Sequence, residues 1–256
     1  MAIILGFVQG VAEFLPISSS GHLTLFQHFF GMPETDQLFN VLLHFATLLA
    51  VCVVYWRDIW EMIVEFFAFF TDLFSRRRYR GNPPEARRMV LLIIVGTLPL
   101  FLVLPIKDRV EALGNNPIFV CGATLLDLFL VGLAQGLATI PGLSRSGCTI
   151  SAGMVRGFDR KFAVRYSFLM SLPAVLGATL LEVVDVMKLE GGIPTENLPN
   201  YLLGMAVAAV VGFFSIHLVR LLADRGRFGA FAFYCWGAGA LFILLNIMGW
   251  SLVPTA

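Results

Sequence analysis

Windows of about 20 predominantly apolar residues, the length at which a helix crosses a bilayer, recur at roughly 38–56, 89–106, 162–186, 199–219 and 229–249, with a further apolar stretch from 117. Hydrocarbon offers no partner to a backbone N–H or C=O, so such a chain must fold as helices or as a closed barrel. Barrel strands need only about 9–11 residues, so windows of this length specify helices. Composition agrees: 58% of the 256 residues are hydrophobic and 14% charged, too little polar surface to cover a soluble core. The sequence therefore predicts an all-α polytopic membrane protein, a single domain over 1–256 in contact with the bilayer. Its few, dispersed basic residues exclude a nucleic-acid surface.

Two other apolar segments are interrupted by Pro, Gly and Ser, and they resemble each other. QGVAEFLPISSSGH at 9–22 aligns without a gap to QGLATIPGLSRSGC at 135–148, a constant offset of 126. Six positions are identical: Gln9/Gln135, Gly10/Gly136, Ala12/Ala138, Ser18/Ser144, Ser20/Ser146 and Gly21/Gly147. Duplication explains this better than chance likeness of two small-residue stretches. The chain then divides into one repeat over 1–126 and another over 127–256. Each has one re-entrant broken helix followed by about three transmembrane helices.

A broken segment that enters and leaves on one side, plus three spans, crosses the membrane an odd number of times. Two such units in tandem have opposite orientation, the inverted-repeat plan in which broken helices meet near the midplane. The arginines agree. Arg57, Arg76, Arg77, Arg78, Arg80, Arg87 and Arg88 make 57–88 cytoplasmic, and Arg220, Arg225 and Arg227 mark a second cytoplasmic loop. The connection 107–116 is nearly charge-balanced and 187–198 sets Glu190 and Glu196 against Lys188, as outer loops do. Within 57–88, DIWEMIVEFFAFFTDLF at 58–74 is amphipathic and aromatic, the pattern of an interfacial helix. The third span of the first repeat is short, about 117–126. Ten helical residues rise about 15 Å, half the hydrocarbon thickness. Either residues are absent near Leu126 and Asp127, or the hairpin is compacted.

The first apolar run, MAIILGFVQGVAEFLPI, has no basic stretch before it and flows into SSSGH, so it reads as part of the fold and not as a cleaved leader. Cys52, Cys121, Cys148 and Cys235 stand singly in apolar surroundings, as buried thiols do.

The broken segments carry the polar groups: Gln9, Glu13, Ser18, Ser19, Ser20 and His22 in the first, Ser144, Arg145, Ser146 and Thr149 in the second. Ionisable side chains at membrane depth mark functional sites. Glu13 and Arg145 as a mere ion-pair lock between the copies would need neither the hydroxyls nor His22. Arginine's planar fork matches phosphate oxygens, and hydroxyls with backbone N–H groups at a helix start make an anion cradle. A carboxylate beside a hydroxyl or imidazole supplies a general base or a metal ligand. The set suits phosphoryl transfer. His28, His44 and His217 read as structural, and no G-x-x-x-x-G-K-[ST] loop supports nucleotide hydrolysis.

GFVQGVAEFLPISSSGHL followed by IPGLSRSGCTISAG resembles the bacterial undecaprenyl-pyrophosphate phosphatase family linked to bacitracin resistance, with its E/Q-x-x-x-E and P-G-x-S-R-S-x-x-T motifs intact and in order. The resemblance covers essentially the whole chain. It implies an enzyme of the bacterial cytoplasmic (inner) membrane, its site open to the periplasmic or outer face. That family removes the terminal phosphate of undecaprenyl pyrophosphate, recycling the lipid carrier of peptidoglycan. It also implies a divalent cation, Mg2+ or Ca2+, at Gln9 and Glu13. Catalytic roles fall to Glu13, Ser19, His22 and Arg145. Phosphate binding falls to Ser18, Ser20, Ser144, Arg145, Ser146 and Thr149. Gln9 carries no charge, so this chain brings one carboxylate where the motif allows two. Ser19 or His22 is the attacking group; a homodimer is one candidate assembly. The rival reading is an inverted-repeat transporter or flippase for a phosphorylated substrate, which needs the anion cradle but no nucleophile.

Overall fold

The computed structural model describes residues 1–29, 37–74, 84–103, 131–136, 138, 143–188 and 197–247. Among them the structure is helical, with no strand: α1 (Ala2–Ala12), α2 (Ser19–Phe29), α3 (Gln37–Val54), α4 (Trp56–Phe74), α5 (Glu85–Val103), α6 (Arg145–Val155), α7 (Arg160–Lys188), α8 (Leu198–Asp224) and α9 (Gly229–Ile247). A helix thus stands on each of the five predicted windows. Two are long and apolar enough to cross a membrane alone, Arg160–Leu181 and Leu198–Asp224. A third span is available if α3 and α4 are one broken element, for these two meet at 84°. The predicted short span at 117–126, the junction at Leu126 and Asp127, and Arg76, Arg77, Arg78 and Arg80 lie outside the described residues.

Small residues set how closely the bundle packs. On α1, Gly6 sits against the backbone of Gly204 on α8; a Cβ at Gly6 would stand 2.3 Å from the Gly204 carbonyl oxygen. One turn on, a Cβ at Gly10 would meet the Ala208 carbonyl oxygen at 2.8 Å. Small residues four apart on both helices bring two backbones into contact, the interface that helices adopt where hydrocarbon cannot drive association. In this way α1, only 11 residues long, is seated in the protein. Phe39 stacks on Tyr201 beside it, with ring centroids 5.1 Å apart.

A second core gathers Tyr55, Met89, Val131, Ile150, Tyr166, Leu169, Met170 and Ile216, all nearly sealed from solvent. The Tyr166 hydroxyl donates to the Leu92 carbonyl at 2.8 Å, tying α7 to α5. Charge ties the ends: Arg87 donates to Glu65 at 2.8 Å and to Asp72 at 2.9 Å, and Arg165 pairs with Asp58 and Glu85. These links hold α4 to α5 and α7.

Both broken segments restart as helices at equivalent positions, Ser19 and Arg145. The caps match as well. Ser18 Oγ accepts from the Gly21 N–H at 3.3 Å, and Ser144 Oγ accepts from the Gly147 N–H at 3.1 Å. Each cap satisfies a donor orphaned at a helix start. The backbones differ: Ser144 is extended, whereas Ser18 has φ 67°, a left-handed conformation uncommon for a residue with a Cβ.

Candidate active site

The two breaks meet. Arg145, first residue of α6, pairs with Glu13, just past the end of α1, through its guanidinium. Ser146 Oγ donates to the Leu15 carbonyl at 3.4 Å. The Glu13 side chain is only 7% exposed and that of Arg145 24%. A carboxylate so placed needs charged and hydrogen-bonding partners to offset its lost hydration, and it has them. Ser19 Oγ donates to Glu13 Oε2 at 2.7 Å and Gln9 Nε2 donates at 3.0 Å. The four-residue spacing of Gln9 and Glu13 aligns them along one side of the chain.

His44, which the sequence places among structural histidines, belongs to this cluster. Its Nε2 stands 3.5 Å from Glu13 Oε2, while its Nδ1 donates to the Asn40 carbonyl at 2.8 Å. Its signal in the sequence was a histidine within a predicted span, but nothing local says that α3 turns it toward Glu13. His217 bonds the Phe213 carbonyl of its own helix, and the His28 side chain lies outside the described residues.

Beside the Glu13 cluster opens a pocket of about 630 Å³, lined by Ser18, Ser20 and His22 of the first copy, Ser144 of the second, and Tyr234 and Cys235 of α9. His22 Nδ1 faces the Ser18 carbonyl at 2.8 Å and its Nε2 meets the Tyr234 hydroxyl at 2.7 Å. The pocket therefore holds one imidazole, three hydroxyls of the paired motifs and a phenol. Ser19 and Arg145 do not line it. They stand on its border, because Ser19 lies between Ser18 and Ser20 and Arg145 follows Ser144.

Of the residues predicted to hold phosphate, Ser18, Ser20 and Ser144 reach this pocket. Ser146 is buried between Ser144 Oγ, at 3.3 Å, and Leu15. Thr149 is directed elsewhere: 1% exposed, its hydroxyl donates to the Arg145 carbonyl at 2.8 Å and meets Ser167 Oγ at 2.5 Å. In that position it fixes α6 to α7. Tyr234 went unread in the sequence; its signal was a phenol within an otherwise almost wholly apolar helix, GAFAFYCWGAGALFILLNI.

The donor set bears on a cation. Among the described residues no group of three or more His, Cys, Asp or Glu could hold a metal. Gln9 Oε1, however, is buried without a hydrogen-bond partner, an oxygen left over beside the Glu13 carboxylate. Hard cations such as Mg2+ take oxygen ligands and are often held by one or two protein groups plus substrate phosphates. One carboxylate and one amide oxygen are donors of the type such a cation takes. They do not make a closed cage.

Comparison with known proteins fits this geometry. The family model described as Bacitracin resistance protein BacA matches residues 2–127 and 121–241. An undecaprenyl-diphosphatase of Alkaliphilus metalliredigens (strain QYMF) is 38% identical over 274 positions, covering 96% of this chain and 98% of that protein. One of Methanosphaera stadtmanae is 37% identical over 96% of this chain and 98% of its own length. One of Treponema denticola is 40% identical over 91% and 92%. The 274 aligned positions outnumber the 256 residues here, so that relative carries internal residues this chain lacks. The family match divides at 121–127, where the first repeat's third span reads short. With its family model and full-length relatives agreeing, the chain belongs to the bacitracin resistance protein BacA family.

Proposed function

We propose that this protein is an undecaprenyl-diphosphate phosphatase, a membrane hydrolase that releases phosphate from undecaprenyl pyrophosphate and returns undecaprenyl phosphate to peptidoglycan synthesis. One observation carries the mechanism: Ser19 Oγ donates to the Glu13 carboxylate at 2.7 Å, and the same carboxylate pairs with Arg145. A hydroxyl within hydrogen-bond reach of a base is the arrangement of an activated nucleophile.

In this reading Ser19 Oγ attacks the terminal phosphorus and its proton passes to Glu13. The bridging P–O bond breaks, and undecaprenyl phosphate leaves. Arg145 exchanges its hold on Glu13 for the phosphoryl oxygens, offsetting their charge with a planar fork of donors. Ser18, Ser20 and Ser144, with the N–H groups at the starts of α2 and α6, cradle the phosphates, and the buried Ser146 braces Ser144 from behind. Thr149 supports the cradle from behind through Ser167. His22 assists proton transfer at the pocket wall, and water then hydrolyses the phosphoserine and restores Ser19. Gln9 Oε1 and Glu13 would hold a Mg2+ or Ca2+ ion, which supplies neutralisation of the pyrophosphate charge.

The assignment of the site to the periplasmic or outer face of the inner membrane rests on the arginine-rich 57–88 segment being cytoplasmic. The 84° turn from α3 into α4 suits an amphipathic helix lying along the cytoplasmic interface. The matching caps at Ser18 and Ser144 support two repeats, 1–126 and 127–256, and the odd number of crossings expected of each from the sequence would invert one against the other. A homodimer is compatible with this reading.

The experiment is phosphate release from undecaprenyl pyrophosphate by the purified protein in detergent, where no gradient exists. Wild type releases phosphate, and Ser19→Ala abolishes release. Near-normal turnover by Ser19→Ala, or trapped acid-labile phosphohistidine, would move the attack to His22. No release by wild type would favour the transporter or flippase.

A further inference from the structure

His22 offers two ring nitrogens and the structure assigns them different work. Nδ1 lies 2.8 Å from the Ser18 carbonyl oxygen, which can only accept, so Nδ1 carries hydrogen. In the neutral ring Nε2 is then an acceptor. The group it meets is the Tyr234 hydroxyl, at 2.7 Å. The two rings also stack, with centroids 5.7 Å apart and planes at 16°. Tyr234 stands on α9, 212 residues from His22 in sequence.

Helix α9 is built to present this residue. Tyr234, Cys235, Ala238 and Gly239 line the pocket, at the one- and four-residue spacings of a single helix face. Phe233 and Trp236, both 72% exposed, point outward. The small Ala238 and Gly239 leave the pocket open beside the phenol. Cys235 Sγ donates to the Pro16 carbonyl at 3.7 Å, a second tie between α9 and the first break.

We infer that Tyr234 is a positioning residue for His22, fixing its imidazole with Nδ1–H on the Ser18 carbonyl and Nε2 on the phenol at the pocket wall. A phenol suits this task in both states of the ring. Its O–H donates to Nε2 of the neutral imidazole; once Nε2 has taken a proton, the hydroxyl turns its own hydrogen toward the pocket and its oxygen accepts from Nε2–H. A phenylalanine keeps the stacked ring and loses both bonds. The inference rests on the catalytic part given to His22 above.

The test uses the full chain in detergent with undecaprenyl pyrophosphate as substrate. Tyr234→Phe is expected to lower kcat roughly 5- to 10-fold, the size of one lost hydrogen bond, with KM within about twofold. In a His22→Gln background the same change has no further effect on kcat, because its target is gone. Phe233→Leu, on the outward side of α9, leaves both parameters unchanged. Tyr234→Phe at full kcat, or multiplying losses in the double variant, overturns the inference.

A readout without turnover separates the two proposals. In protein labelled with 15N-histidine, the His22 signals are assigned by their absence in His22→Gln. Wild type shows the Nδ1-protonated tautomer, and Tyr234→Phe moves the Nε2 resonance. An unmoved resonance overturns the positioning role whatever the activity. A moved resonance with normal turnover by His22→Gln removes the catalytic part of His22 and leaves the contact standing.

Discussion

Replacing Arg145 by alanine separates a lock from a catalyst. The change takes the guanidinium from a carboxylate that is 7% exposed. Gln9, Ser19 and His44, at 3.0, 2.7 and 3.5 Å, are what Glu13 then keeps. Breaking a fully buried pair costs about 3–5 kcal/mol. The Arg145 side chain is 24% exposed, so solvent screens part of the interaction and about 2–3 kcal/mol is the better figure. At about 2–4 °C per kcal/mol for a chain of this size, the melting temperature in detergent falls by roughly 4–12 °C. Phosphate release falls further than stability explains, by roughly 10²–10³-fold, as when a preorganised charge stabiliser is removed.

The double variant Glu13→Gln with Arg145→Ala decides between the readings. A glutamine keeps an acceptor for Ser19 and removes the stranded charge, so most of the melting temperature returns. Turnover stays lost, since neither the base nor the phosphate-binding fork is present. The assay is thermal unfolding monitored beside phosphate release on the same preparations. Recovery of turnover together with stability would refute the catalytic reading and leave Glu13–Arg145 as a structural pair.

Gly6→Ala places a Cβ 2.3 Å from a backbone oxygen, about 1 Å inside ordinary contact; it is expected to cost about 1–3 kcal/mol and to lower turnover, because α1 carries Gln9 and leads into Glu13. Gly177→Ala in α7 meets nothing within 4 Å and gains stability by roughly 0.5–1 kcal/mol from helix propensity; equal melting temperatures for the two would sink the packing argument. Chelation should slow phosphate release reversibly, and Gln9→Glu should lower the Mg2+ concentration for half-maximal rate by on the order of tenfold, since ligand charge sets cation affinity. An unchanged midpoint would take Gln9 out of the cation site.

Much of this protein is legible in its sequence because the membrane makes the problem local. Length and hydropathy place helices on the windows at 38–56, 89–106, 162–186, 199–219 and 229–249, since in hydrocarbon each helix must satisfy its own backbone. The offset of 126 already pairs Ser18 with Ser144, and capping is decided within three residues, so Gly21 and Gly147 find the same partners. The sequence offers a Glu13–Arg145 pair only as a bare lock and sets it aside for the hydroxyls and His22; the structure shows the two side chains paired.

Other features needed the tertiary structure. Thr149 belongs to the phosphate motif by spacing, yet which way its hydroxyl turns depends on α7 supplying Ser167. His44 and Tyr234 come to Glu13 and His22 from helices far along the chain, and no periodicity encodes that approach. The sequence by itself determined the helices and the matching caps, because hydropathy and capping act on short stretches. The Glu13–Arg145 pair and the side chains around it were decided by tertiary structure: helix packing sets which face of α3 looks inward, and the Tyr234 and Cys235 bonds set that of α9.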